Sequence, residues 1–306
     1  MSRGKGGGTA LVLEGGGYRG VFTAGVLDVL MERGLTGFGS LWGTSAGALN
    51  GASFLSRQIG RSIRIMLAFR DDRRLMSFHS LATTGNITGA DFLYHTVQES
   101  LDPCNSDVFN SCETRMFACA SDMVFGAAHY FEIRRFPEDV EKIRASCSLP
   151  LISTDVEIDG HRYLDGGTTD SVPFAPALGL VTPDEVEGYE PARRAVVVLT
   201  QHREYQKGEQ LERMARASRR YAEFPLYIEA LTTRAERYMA QRERVWELER
   251  EGTLLVLAPP RPVTVATNEH SGGPLLDLYL QGRSEAERLL PQIATFLGEA
   301  DEGATQ

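Results

Sequence analysis

Residues 9–30 read TALVLEGGGYRGVFTAGVLDVL. Four apolar residues, Ala10 to Leu13, stop at a glycine cluster, and a stretch of helical character follows. A short unbroken apolar run suits a strand buried on both faces, and Phe22, Val26, Val29 and Leu30 share one helical face. Residues 9–14 are therefore expected as a strand and 18–33 as a helix. Gly15, Gly17 and Gly20 fall in the pattern G-x-G-x-x-G, the spacing of dinucleotide-binding turns. A turn of this kind at a helix N-terminus aims backbone N–H groups at an anion, be it a phosphate or an oxyanion.

A dinucleotide site also needs an acid about 20 residues further on, to hold the ribose. No Asp or Glu occurs between Glu32 and Asp71. In its place stands WGTSAGAL, residues 42–49, in which Gly43, Ser45 and Gly47 form G-x-S-x-G. That spacing fits a sharp strand-to-helix turn that lifts a serine hydroxyl to the end of a sheet. The two motifs support one another, because acyl transfer at a serine creates an oxyanion and backbone N–H groups are what stabilise it. Gly15, Gly16 and Gly17 are thus candidate oxyanion donors. A third element, DGHRYLDGG (159–167), places Asp165 at the end of a strand before Gly166 and Gly167. Asp165 is either the base for the serine or the residue that orients a histidine base. Asp170 reads as a turn or cap residue.

Outward from these motifs, strands are expected at 38–43, 114–121, 126–134, 159–167, 194–200 and 253–259, with 114–134 paired as a hairpin. Helices are expected after Ser45 and over 91–101, 137–149 and 274–299. The densely charged stretch 207–251 reads as two helices split at Pro225, with arginines such as Arg213 to Arg220 on a solvated face. Alternating strands and helices argue for a layered α/β fold with a largely parallel sheet. A weak boundary near 200–208 separates a core, 1–200, from a mainly helical C-terminal extension, 201–306.

Four motifs stand in order: GGGxRG (Gly15 to Gly20), GTSAG (Gly43 to Gly47), ASCSLP (Ala145 to Pro150) and DGG (Asp165 to Gly167). In this combination the chain resembles the patatin-like phospholipase family over roughly residues 9–200. The last third is similar to that of a bacterial cytosolic branch. The resemblance implies a three-layer patatin-type core and hydrolysis of fatty-acyl esters by a Ser–Asp dyad. It implies Ser45 as nucleophile, Asp165 as base, and Gly15, Gly16 and Gly17 as the oxyanion loop. Arg19 matches the family's arginine and would brace that loop or add positive charge, with Gly20, Gly43, Ala46, Gly47, Gly166 and Gly167 in support. ASCSLP is expected to pack beneath the site without a chemical role.

Composition narrows the classes. The chain has 306 residues, 42% hydrophobic and 24% charged, with a net charge of −9. No basic block invites nucleic acid. No apolar run reaches the roughly 18 residues that span a bilayer, and the start has no apolar signal region. Cys104, Cys112, Cys119 and Cys147 form no C-x-x-C pair, so free thiols in a reducing cytosol are expected, with no metal or other cofactor. Membrane contact, if made, is peripheral, and the arginines at 57, 61, 64, 70, 73 and 74 are the local basic run that would make it. Phe54, Leu55 and Met66 are candidates to line an acyl channel. A Ser–Asp–His triad would draw on His202 or His270; His79, His95, His129 and His161 complete the histidines. The competing classes are a nucleotide-binding oxidoreductase and a lipid-binding regulator with a vestigial site.

Overall fold

The structure is a computed structural model that describes residues 8–72, 74, 92–183, 186–266 and 269–298. His79, Arg73 and the first residue of the helix expected at 91–101 lie outside them. Eight strands make one sheet: β1 (Thr9–Leu13), β2 (Ser40–Thr44), β3 (Arg115–Asp122), β4 (Ala127–Ile133), β5 (Val156–Ile158), β6 (His161–Asp165), β7 (Arg194–Val198) and β8 (Leu254–Leu257). Their order is β5-β6-β3-β2-β1-β7-β8, with β4 on β3. The centre is parallel: β3, β2, β1, β7 and β8 run together. The β4, β5 and β6 pairings are antiparallel. The expected strand 159–167 is a hairpin arm, turning at Asp159 and Gly160, which both have positive φ.

The register along β3 positions the site. β3 pairs with β4 along one side over Met116–Asp122. On the other side β2 runs parallel to it up to Thr44 opposite Cys119. β6 then takes over that side antiparallel, with Asp165 opposite Ala120. Strands β2 and β6 therefore run head-on toward each other, and the residues at their meeting ends are Ser45 and Asp165.

Helices cover both faces. They are α1 (Val21–Glu32), α2 (Ala46–Leu55), α3 (Arg61–Phe69), α4 (Ser106–Ser111), α5 (Val140–Cys147), α6 (Phe174–Ala177), α7 (Gln210–Ala217), α8 (Pro225–Thr232), α9 (Arg234–Arg250) and α10 (Gly272–Leu297). Residues Phe92–Leu101 form a π-helix rather than an α-helix. Leu11 and Leu13 of β1 face a core shared with α1, α2 and α10. Ala10 and Val12 face a second core shared with α6 and α9. Burial on both sides of the central strand explains its unbroken apolar run, each large side chain contributing about 1.5–3 kcal/mol.

Two departures have local causes. The charged stretch 207–251 holds three helices, not two. Pro225 starts α8, and α8 ends at Thr232–Thr233, whose hydroxyls donate back to the carbonyls of Ile228 and Glu229. Helix α1 is buried on almost every side, not one face, because α10 packs across its back. A Cβ on Gly25 would lie 2.1 Å from the Tyr279 carbonyl oxygen, and one on Gly282 the same distance from that of Phe22. The two helices meet backbone to backbone through these glycines.

Candidate active site

Ser45 sits between β2 and α2 with φ 53° and ψ −123°, a conformation that non-glycine residues rarely adopt. Its neighbours make the sharp turn sterically possible. A Cβ on Gly47 would come within 2.3 Å of the Leu13 carbonyl oxygen, and one on Gly43 within 2.7 Å of the Ala48 nitrogen. The Ser45 amide donates to Ser146 Oγ at 2.9 Å, and the Ser45 hydroxyl donates to Asp165 Oδ2 at 2.6 Å. Both residues are buried.

Asp165 is held from every side. Its Oδ1 accepts from the Gly167 amide at 2.7 Å, and its own amide donates to the Ser148 carbonyl at 2.7 Å. Its carbonyl accepts from Ser121 Oγ at 2.8 Å. Gly166 lies against the Cys119 carbonyl, where a Cβ would sit 2.2 Å away. Burial raises the Asp165 pKa above the usual carboxylate value, against the Ser45 hydroxyl, the Gly167 amide, and the Arg234 and Lys207 cations, which pull it down. A carboxylate raised in this way is a stronger base than a free aspartate.

The glycine turn lies beside the pair. Gly15 donates its amide to the Ser171 carbonyl at 3.2 Å, so that N–H is turned away from any oxyanion. Among the described residues, nothing accepts from the amides of Gly16 or Gly17, and both glycines line a cavity with Ser45. Gly17 has φ +57°, and a Cβ on Gly16 would lie 2.7 Å from Thr200 Oγ1. Gly20 ties the turn to the elbow: its carbonyl accepts from Asn50 Nδ2 at 2.9 Å, and it packs on Ala46. Arg19 lines the same cavity. Beneath the turn, the Glu14 carboxylate accepts from the Thr200 amide and hydroxyl and from the Tyr238 hydroxyl.

Ser45 borders two cavities. One is a narrow apolar cleft of about 90 Å³ lined by Leu49, Ile65, Met66, Leu93, Tyr94 and Leu149. The other is a wider, more polar basin of about 510 Å³ that includes Asp165, Arg19, Lys207 and Arg234. Burial, with Arg234 and Arg19 nearby, holds the Lys207 ammonium well below the usual lysine range. Met66 lines the cleft as the sequence suggests, whereas Phe54 and Leu55 are core residues. Arg61 is buried at the cleft, donating to Gln98 Oε1 at 2.7 Å and the Asp102 carbonyl at 2.6 Å. Arg64 and Arg74 pair with Asp102 and Asp72, so much of the basic run is already engaged.

No described histidine touches Ser45 or Asp165. His202 contacts the Tyr205 ring, and His270 reaches the Arg70 carbonyl. His95 meets Glu99 and Glu141, and His161 meets Asp122. His129 lies against Phe131 and Tyr163. Asp170 accepts from Tyr130 and Gln241 within the fold. All four cysteines are free, and among the described residues no His, Cys, Asp or Glu cluster could hold a metal. Two contributors escape sequence reasoning. Ser146, inside ASCSLP, holds the Ser45 amide. Glu14, next to the glycines, anchors the turn from below; a charged residue ending an apolar strand is the only signal it leaves.

A hydroxyl on a buried carboxylate, beside two unengaged amides at the C-terminal edge of a parallel sheet, is the arrangement that acyl transfer to serine needs. The comparisons agree with that class. The description Patatin-like phospholipase matches residues 11–178, more than half of the chain. The protein belongs to the patatin-like phospholipase family. Residues 224–298 match a domain of unknown function (DUF6363). The uncharacterized protein YjjU of Escherichia coli is 33% identical over 173 residues, covering 55% of this chain and 48% of its own. An uncharacterized NTE family protein of Mycobacterium tuberculosis is 29% identical, covering 56% and 46%. The mouse protein named 1-acylglycerol-3-phosphate O-acyltransferase Pnpla3 is 27% identical, covering 56% and 42%. The chain thus matches these curated relatives over about half of their length or less.

Proposed function

We propose that this chain hydrolyses the carboxylic-ester bonds of acyl lipids with Ser45 as nucleophile and Asp165 as base. The observation that carries the reading is the 2.6 Å hydrogen bond from Ser45 Oγ to Asp165 Oδ2. Ser45 Oγ attacks the acyl carbonyl carbon while its proton passes to Asp165. The carbonyl oxygen becomes an oxyanion facing the amides of Gly16 and Gly17; a preorganised donor of this kind is worth about 2.7–4 kcal/mol. Collapse breaks the ester bond, and the leaving alcohol takes the proton from Asp165. Water then attacks the acyl-serine with Asp165 again as base, releasing the carboxylic acid and restoring Ser45. The narrow apolar cleft suits the acyl chain, and the polar basin suits the rest of the ester.

A lipid surface would be met peripherally; among the described residues no helix is long and apolar enough to cross a membrane. The test is an ester panel of rising chain length, with fluorophosphonate labelling of the parent and Ser45→Ala. Labelling confined to Ser45, with hydrolysis lost in the variant, supports the reading. Lipid binding without labelling makes the protein a lipid-binding regulator instead.

A further inference from the structure

Helix α9 comes from the segment matched only as a domain of unknown function, yet one of its faces runs along the basin side of the site. Arg234, Arg237, Tyr238, Gln241 and Arg242 are spaced so that they share that face. Arg234 Nε donates to the Gly167 carbonyl at 2.7 Å. Arg237 Nη1 donates to the Thr168 carbonyl at 2.7 Å. Gln241 brackets Val172, accepting from its amide at 3.2 Å and donating to its carbonyl at 3.0 Å. Tyr238 donates to Glu14, next to the glycine turn. Arg242 Nη2 donates to the carbonyls of His202 and Arg203 at 2.6 and 3.0 Å.

We propose that α9 is the positioning element of the active site, with Arg234 and Arg237 holding the Gly166–Thr168 turn that sets the Asp165 carboxylate. The inference rests on the Ser45–Asp165 reading. Gly167 is the link: its carbonyl accepts from Arg234 at 2.7 Å and, less closely, from the Ser171 hydroxyl at 3.1 Å, while its amide holds Asp165 Oδ1. A relay of three hydrogen bonds runs from Arg234 through Gly167 and Asp165 to Ser45. The turn is only three residues long, and its last carbonyls have no partner inside so short a helix. Two guanidinium groups supply donors in fixed planar geometry. The same rigid helix reaches Glu14 through Tyr238, so the base and the oxyanion loop are set from one rod. The unknown domain thereby acquires a function: it completes a site whose reacting groups all come from the first 170 residues.

The test uses the full-length protein and the variants Arg234→Gln, Arg237→Gln and the double variant. Arg244→Gln is the control; Arg244 lies exposed elsewhere on α9, paired with Glu247 and Glu251. Rates on a p-nitrophenyl ester are expressed per fluorophosphonate-titrated Ser45, which removes any unfolded fraction. A small misplacement of a reacting group can cost about a hundredfold. The double variant is expected to lose about that much kcat with KM nearly unchanged, and Arg234→Lys, which keeps a donor, to recover part of the single loss. Arg244→Gln is expected to match the parent. Unchanged kcat per titrated site in the double variant overturns the inference. Should the double variant not fold, the Arg234→Gln and Arg234→Lys pair decides it: equal kcat in both and in the parent overturns it. If the parent itself is not labelled at Ser45, the dyad reading fails instead, so the two failures are distinct.

Discussion

The backbone amide of Ser45 donates to Ser146 Oγ, so a side chain of α5 holds the one peptide that the elbow strains. Ser146 is fully buried. The segment ASCSLP also supplies the Ser148 carbonyl that receives the Asp165 amide. One stretch of chain thus fixes both halves of the pair.

Replacing Ser146 with alanine should destabilise the protein, because a buried N–H left without an acceptor costs about 1–3 kcal/mol. At about 2–4 °C per kcal/mol for a chain of comparable size, the thermal midpoint should drop by several degrees. Turnover should fall with it as the elbow loosens. A midpoint equal to the parent's would mean that the Ser45 amide finds another acceptor.

Ser45→Ala and Ser45→Gly should both be inactive but differ in stability. Alanine keeps the strain of a positive φ, which costs about 1–3 kcal/mol, whereas glycine does not. At an ordinary site next to a helix, glycine would instead be worse by about 0.5–1 kcal/mol. The glycine variant is therefore expected to melt at or above the alanine variant. A glycine variant several degrees lower would remove the strain argument.

The pH behaviour of Asp165 has opposite signs for activity and stability. As a base it must be ionised, and burial has raised its pKa. The acid limb of kcat/KM should therefore lie above the roughly 3.9 of a free aspartate. Stability runs the other way: a carboxyl with a raised folded pKa favours the fold when protonated. That contribution is full below the unfolded pKa and fades as pH rises through the folded pKa. Asp165→Asn should thus abolish turnover yet raise the melting midpoint at neutral pH. Combined with Ser45→Ala it should be little worse than either alone. A limb at or below 3.9, or a lowered midpoint, would count against this account.

The apolar cleft should measure acyl chains. Met66 lines it, and Met66→Trp should reduce the space for a long chain. A chain that loses about four buried methylenes, at about 0.8 kcal/mol each, should lose roughly two-hundredfold in kcat/KM. Acetyl esters should react as before. Equal losses on acetyl and decanoyl esters would place the acyl chain elsewhere.

The glycine turn and the serine elbow are legible in the sequence because each is a local device, written in residues a few positions apart. The parallel centre of the sheet is legible for the same reason, since strands buried on two faces read as apolar runs. The head-on meeting of β2 and β6 is not, because nothing in YLDGG says which way that strand runs or whose edge it continues. The reach of α9 is hidden differently. Its arginines look alike in a charged run, yet Arg244 and Arg250 face outward while Arg242 is buried. Arginine's carbonyl partners come from distant loops, so its side of the helix cannot be told from charge alone. Gly25 and Gly282 leave one faint mark, glycine inside a helical pattern, whose reason appears only where α1 and α10 touch.

The position of β1 bears on how the protein comes into being on the ribosome. Residues 9–13 are made long before one of their neighbours, for they lie between β2 and a strand at residues 194–198. Helix α1 is closed over by residues 272–297 through the glycine contact. A nascent chain that has just completed its serine elbow still lacks β3 to β8 of that sheet, and contacts so distant in sequence form late. The growing polypeptide must keep an apolar strand shielded for most of its synthesis. Ser45 therefore gains its finished setting only once residues 272–297 have been translated.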